Sequence, residues 1–336
     1  MPKKYANKTE RKLSLRDELP EFAQRYISHF INESSENSVF AYTYDLIVFF
    51  KYLINNNPSY KEKKTSDFLA SDMENLTASD FDEFLAYLRE SGNHLAAQKR
   101  KLSALQGMFN FMVSRNMISK NPAQKVKLAK NIPDREITYL TDEESAALLN
   151  YIKNRPIDEK DPRKKKKENE RIRDYAITAL LLGTGMRVSE MCGIDRGMID
   201  FESNKVYIYR KGGSHKHVYF SDLVAEALYD YNEQRELIEA TDADGKNAFF
   251  LSYHKKRITA RTVENLISQY ATAVVPYKHI TPHKLRSSFA TSVLHKTKNI
   301  AVVSAALNHK NLSTTQKYYA KVLDDDLKEA ASNSPI

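Results

Sequence analysis

Cysteine is nearly absent: Cys192 is the single thiol in 336 residues. One thiol excludes an intrachain disulfide framework and any all-cysteine metal site, and it suits a reducing compartment. Long apolar runs are missing too. The longest, Ala176 to Met186 with small residues inside it, falls well short of the ~20 residues a membrane-spanning helix needs. The polar, basic start (Met1-Pro-Lys-Lys) has no apolar stretch behind it, so no secretory signal is expected. Internal repeats and Gly/Ser-rich linkers are also lacking. With 41% hydrophobic and 28% charged residues the chain should be globular, and its length leaves room for about two domains. A cytoplasmic, two-domain, basic protein is expected.

Acidic residues are absent from one long stretch. Residues 91–133 carry eight Lys and Arg and no Asp or Glu, whereas residues 21–90 carry twelve acids against six bases. The overall charge of +9 is therefore laid out unevenly. Such a polarised domain suits a polyanion, although a solvated helix face followed by a basic linker has the same composition. A second basic run, Arg163-Lys-Lys-Lys-Lys167, is interspersed with Asp158, Glu159, Asp161, Glu168 and Glu170 and reads as a solvated surface loop.

What is present along the first 120 residues is helical periodicity. Pro20 to Ile31 and Ser38 to Ile54 repeat apolar residues every three or four positions, the latter through Phe40, Tyr44, Ile47 and Phe50. Thr77 or Ser79 can cap a helix through Phe81, Phe84, Leu85 and Leu88 that Gly92 ends. The next helix carries Leu102, Leu105, Phe109 and Met112 as one stripe, with Lys99, Arg100 and Lys101 near its start. Domain boundaries follow: a basic segment 1–20, a helical domain 21–118, a proline-containing linker 119–137, a second domain 138–322 and a tail 323–336. The second domain opens with capping-box spacing between Thr141 and Glu144. Lys205–Tyr209 and His217–Phe220 flank Lys211-Gly-Gly-Ser214 as a β-hairpin, and helices follow over 260–273, 282–295, 299–307 and 313–322.

Four short segments hold residues capable of chemistry. In Leu181-Leu-Gly-Thr-Gly-Met-Arg-Val-Ser-Glu190, Arg187 follows an apolar helix and a Gly-Thr-Gly break, so its guanidinium should be largely buried. On the segment alone a structural pair with Glu190 is the favoured reading. In Thr281-Pro-His-Lys-Leu-Arg286, Pro282 suits the first helical turn, and His283 and Arg286 share a face that can simply be solvated. No acid or cysteine stands at metal-ligand spacing there. In Leu307-Asn-His-Lys-Asn-Leu-Ser-Thr-Thr-Gln-Lys-Tyr-Tyr319, His309 lies between helices and Tyr318 follows nine residues later. Lys211 sits at the hairpin tip, by default a solvated turn lysine.

Taken in order, Arg187, Lys211 on a hairpin, His283-x-x-Arg286, His309 and Tyr318 resemble the tyrosine recombinase (phage integrase) family, nearest its Xer-type and simple two-domain members. The resemblance covers residues 140–322 and, more loosely, the helical N-terminal domain. It implies a mainly α fold: a helical core-binding domain, then a mixed α/β catalytic domain with a small antiparallel sheet. It implies site-specific cutting and rejoining of duplex DNA through a 3′-phosphotyrosyl link, as in chromosome-dimer resolution or mobile-element integration and excision. A relaxing type IB topoisomerase and a catalytically silent DNA-binding accessory protein are the alternatives.

By position, the resemblance makes Tyr318 the nucleophile, with Tyr319 as its rival. Arg187, Arg286 and His309 become phosphate donors, His283 the base, Lys211 the acid for the leaving 5′-oxygen, and Glu190 a supporting carboxylate. It implies no metal, no cofactor and no ATP. The partner is duplex DNA, gripped in part by Lys99, Arg100, Lys101, Lys125, Lys127 and Lys130, with a homotetramer on paired sites that the C-terminal tail helps to join. The short stretch before the first helix leaves no room for an arm-binding domain. Two departures from the pattern are Ser287-Ser288, where many relatives have His-Thr, and Asn308, where Gly is common.

Overall fold

The computed structural model describes residues 15–32, 34–128, 138–209 and 215–307. The chain divides into two compact units, at Arg135 and Glu136. The architecture is mostly helical with one three-stranded antiparallel sheet.

The first unit holds α1 (Glu21–Ile31), α2 (Glu36–Asn56), the short α3 (Ala70–Glu74), α4 (Ala78–Glu90) and α5 (Leu95–Ser114). Its core is built on aromatic rings. Phe49 stacks on Phe81 at 5.5 Å and meets Phe84 edge-on at 5.1 Å, and Phe81 meets Phe109 at 5.3 Å. The stripe Leu102, Leu105, Phe109 and Met112 is buried, as its spacing predicts. On α2 the buried face is turned from the expected one. Phe40 and Tyr44 are exposed, while Leu46, Ile47, Phe49, Phe50 and Leu53 are buried. Tyr42, beside them in sequence, stacks on Phe30 of α1 at 4.5 Å, so an aromatic contact off the stripe sets that end of the helix.

Residues 119–128 are not a free linker. Ala123 and Val126 are buried in the first core, and Gln106 on α5 donates to both of their carbonyls. Asn121 closes the turn by accepting from the Ala123 N–H, so polar side chains do what a periodic apolar pattern would otherwise signal. Nor is the end of the segment 1–20 separate, because Leu19 is fully buried in the same core.

The second unit runs α6 (Asp142–Asn154), α7 (Lys164–Thr184), α8 (Val188–Cys192), β1 (Ile199–Asp200), β2 (Lys205–Tyr209), β3 (His215–Tyr219), α9 (Asp222–Glu236), α10 (Ala243–Asn247), α11 (Ala260–Val274), α12 (Pro282–Thr297) and α13 (Ile300–Leu307). The predicted capping box forms: Thr141 Oγ1 accepts from the Glu144 N–H at 3.2 Å, and Glu144 accepts from the Thr141 N–H at 2.9 Å. Helix α7 is central. It packs against α6, α9 and α12 through a face that includes Ile177, Leu180 and Leu181.

Helix α7 also begins earlier than expected, since Lys164–Lys167 form its first turn and not a loop. Local acids make this possible by pairing with the run: Asp161 with Lys167, and Glu159 with Lys164. The hairpin pairs β2 with β3 in the register Val206↔Val218 and Ile208↔Lys216, with Val206 and Ile208 turned inward. Among the described residues no helix is long and apolar enough to cross a membrane.

Candidate active site

The site forms where α7 ends. Gly185 terminates the helix at φ 60°, in the left-handed region that glycine enters without strain. Thr184 shapes the same turn, donating to Leu180 O and accepting from the Met186 N–H. Phe289 of α12 presses on Gly185 so closely that a Cβ there would lie 2.3 Å from its Cδ1. The chain then turns into α8, whose first turn Arg187 precedes.

Glu190 holds Arg187 twice: its carboxylate accepts from the Arg187 N–H at 2.8 Å and from the guanidinium Nη1 at 2.9 Å. The carboxylate side chain is 9% exposed and the arginine 48%. The expected burial of Arg187 is thus corrected. Because Arg187 follows the helix end, its side chain starts at the surface, and the pair with Glu190 anchors it from beneath.

Arg286 shows the reverse. The solvated face considered for it does not exist, because Arg286 is 7% exposed. Its Nη1 donates to Gly185 O at 2.5 Å and its Nη2 to Leu307 O at 2.6 Å. One guanidinium therefore ties the ends of α7 and α13 to α12, and it satisfies carbonyls that helix termini leave unpaired. A guanidinium carries five N–H donors, and these two contacts use two of them.

His283 stands one turn before Arg286, after Pro282 in the first turn, as predicted. Its imidazole is held below its ordinary pKa of 6.5, first by the packing around it, then by the positive charges of Lys284, Arg286 and Arg187. Both arginines thus act on one imidazole, which is neutral and able to accept a proton at pH 7. The structure brings Arg187, Glu190, His283 and Arg286 together. Lys211, His309, Tyr318, Tyr319 and Asn308 lie outside the described residues.

Sequence reasoning missed three supporting parts. Gly185 O and Leu307 O anchor Arg286, and only the Gly-Thr-Gly break hints at the first. Ser288 accepts from the Leu140 N–H at 2.8 Å and donates to Lys284 O, tying the start of this unit to α12. This gives the unusual Ser287-Ser288 pair a structural use. Cys192 is no nucleophile here, because burial pushes its thiol up to about 12.

The basic residues of the first unit separate into two kinds. Lys101 is buried, with its ammonium 3.3 Å from the fully buried Asp45, so it faces inward and the expectation of a surface role is corrected. Arg100 grips the same carboxylate through Nε at 2.8 Å and Nη2 at 3.0 Å while staying half-exposed. Lys99 is partly buried, whereas Lys125 and Lys127 are exposed. Lys130 lies outside the described residues.

Residues 137–324 match the phage integrase family. The tyrosine recombinase XerC of Caldanaerobacter subterraneus subsp. tengcongensis is 31% identical over 330 residues, covering 94% of this chain and 87% of that protein. XerC of Pediococcus pentosaceus is 30% identical, covering 88% of this chain and 91% of its own. Among solved structures, the XerH site-specific recombinase bound to difH substrate in a pre-cleavage complex aligns with a TM-score of 0.68 at 19% identity, over 95% of this chain and 96% of that one. The Tn1549 transposon integrase in complex with transposon right end DNA aligns with a TM-score of 0.68 at 19% identity, over 93% and 98%. At those identities the solved structures share the fold.

Proposed function

Because the chain belongs to the phage integrase family, it is a tyrosine recombinase that cuts and rejoins DNA, and we propose that Tyr318 is its nucleophile and that Arg187, Arg286, His283, Lys211 and His309 serve the scissile phosphate. The observation that carries this reading is geometric: Arg286, one turn after His283 on α12, is fixed to Gly185 O, two residues before the Arg187 that Glu190 holds.

The chemistry follows from that arrangement. A phenol with a pKa near 10 is ionised only to ~10⁻³ at pH 7, so its proton must be taken as it attacks. His283 accepts that proton while the Tyr318 oxygen bonds to phosphorus. The bond from phosphorus to the 5′-oxygen breaks, and Lys211 protonates the departing oxygen. Arg187 and Arg286 bind the non-bridging oxygens, joined by His309. Both arginines are fixed beforehand, one by Glu190 and one by two carbonyls, so they need little reorganisation as charge develops. The 3′-phosphotyrosyl link keeps the energy of the phosphodiester, and the reverse attack by a 5′-hydroxyl rejoins the strand.

Duplex DNA is the substrate, and the exposed Lys125 and Lys127 meet its backbone. Four copies act on two paired sites in the cytoplasm, with residues 323–336 of each reaching a neighbour. The test is strand exchange. Once genome-wide binding has located the site, two DNAs carrying it should yield exchanged products, and DNA lacking it should yield none. Relaxation of any supercoiled plasmid without exchange would move the chain to topoisomerase chemistry.

A further inference from the structure

The run Arg163–Lys167 lies apart from the residues gathered around Arg187 and Arg286. It opens α7, whose other end leads to Gly185 and Arg187, and 21 residues of helix put ~30 Å between the two ends. Beside this opening turn lies a cavity of about 500 Å³, bounded on its other side by the turn around Ser252–Lys255. Arg163, Lys165, Lys166, Lys255 and Tyr253 line it, with Arg173 and Glu170 deeper along α7.

The cations in this region are not alike. Lys164 and Lys167 are committed to Glu159 and Asp161, and Arg163 stands 3.5 Å from Asp161. Arg173 is bound to Asp174, and Glu170 lies within its field. Lys165, Lys166 and Lys255 have no carboxylate within ion-pair distance among the described residues. Three lysines without a carboxylate partner therefore line one cavity, the Lys166 ammonium resting on the Tyr253 ring, although acids stand close by in the chain.

The turn that carries Lys255 is fixed. Lys255 sits at φ 57°, a left-handed conformation that costs a non-glycine residue free energy. It is held there by its own N–H to Ser252 O at 2.9 Å, and by Thr241, whose N–H donates to Lys255 O at 3.1 Å. Tyr253, on the same turn, is exposed, and the Lys166 ammonium stands over its ring. Cations and an aromatic ring on fixed backbone, in a cavity of small-ligand size, suit an anion with a flat group attached.

We propose that this cavity binds a nucleoside triphosphate, with its phosphates on Lys165, Lys166 and Lys255 and its base against Tyr253. The ligand is a bound effector and not an energy source, since it lies far from the site of strand cleavage.

Calorimetric titration of the full chain, without DNA, with ATP, inorganic tripolyphosphate and AMP tests this. ATP should bind more tightly than tripolyphosphate, and AMP least. Lys165→Gln with Lys166→Gln should weaken ATP by roughly tenfold or more. Lys255→Gly should weaken it as well, because glycine keeps the left-handed turn and removes the side chain that carries the ammonium. Tyr253→Ala should erase the advantage of ATP over tripolyphosphate. None of these variants should change the binding of a short nonspecific duplex or the formation of a covalent DNA adduct, so this proposal and the recombinase reading fail separately. An ATP Kd weaker than about 1 mM, equal binding of AMP, unchanged ATP binding in the lysine variants, or an equal loss of duplex binding would each overturn it.

Discussion

Replacing Gly185 by alanine probes the junction on which the site is built. The new Cβ would lie 2.3 Å from Phe289 Cδ1 and 2.9 Å from its Cγ, where ordinary contact begins at 3.4 Å. The ring must therefore retreat by about 1 Å. Two costs add. A residue with a Cβ in the left-handed region loses ~1–2 kcal/mol, and forcing a packed ring aside costs ~1–3 kcal/mol. Gly185→Ala should thus destabilise the second unit by roughly 2–5 kcal/mol.

Phe289→Ala separates the two costs. With the ring gone, Gly185→Ala should cost only the backbone part, ~1–2 kcal/mol, leaving a coupling of ~1–3 kcal/mol in the double-mutant cycle. Urea unfolding followed by circular dichroism, read at the transition of the second unit, measures all four corners. The two units can unfold separately, so one midpoint for the whole chain is not sufficient. An equal cost of Gly185→Ala in both backgrounds would refute the close packing. Because Gly185 O anchors Arg286, adduct formation should also slow in Gly185→Ala.

Four further outcomes are expected. The rate of adduct formation should rise with pH with a midpoint below 6.5, since packing and neighbouring cations favour the neutral His283 imidazole; a midpoint above 6.5 in a pH–rate profile would count against His283 as base. Lys101→Ala should destabilise the first unit by ~1–3 kcal/mol in urea while leaving the salt dependence of DNA binding unchanged, because its ammonium serves Asp45. Lys125→Ala and Lys127→Ala should each leave stability alone and lower the log–log salt slope by about 1. Glu144 offers a test in acid. Burial alone would raise its pKa, but hydrogen bonds from Lys278, Tyr277 and the Thr141 N–H hold it below the ordinary 4.5. A depressed carboxylate stabilises the fold above its unfolded pKa and loses that contribution as pH falls through the folded value. The melting temperatures of Glu144→Gln and the parent should therefore differ at neutral pH and converge below pH 4.5.

Local signals were readable along the chain. The Thr141–Glu144 cap, the paired strands on either side of Lys211-Gly-Gly, Pro282 in a first turn and the α5 stripe depend on neighbours a few residues away, and all are found. Long-range effects were not readable. Asp45 and Arg100 are 55 positions apart, so nothing near Lys101 announces that its charge is spent inward. The two arginines exchanged their expected burial for the same reason. Arg286 is covered by segments 101 and 21 residues away, whose carbonyls accept from it. Arg187 follows a helix end that Gly185 turns outward, which an apolar run alone conceals. On α2, the aromatic spacing allowed several faces, and contact with α1, α4 and α5 selected one.

The central claim is that Tyr318 carries the DNA. Trapping the chain on nicked DNA bearing its site, digesting the adduct and locating the nucleotide-bearing peptide by mass spectrometry tests that claim most directly. The expected result is a phosphotyrosyl link on Tyr318 that disappears, with binding retained, in Tyr318→Phe. A link on Tyr319, or an adduct that persists in Tyr318→Phe, would contradict it.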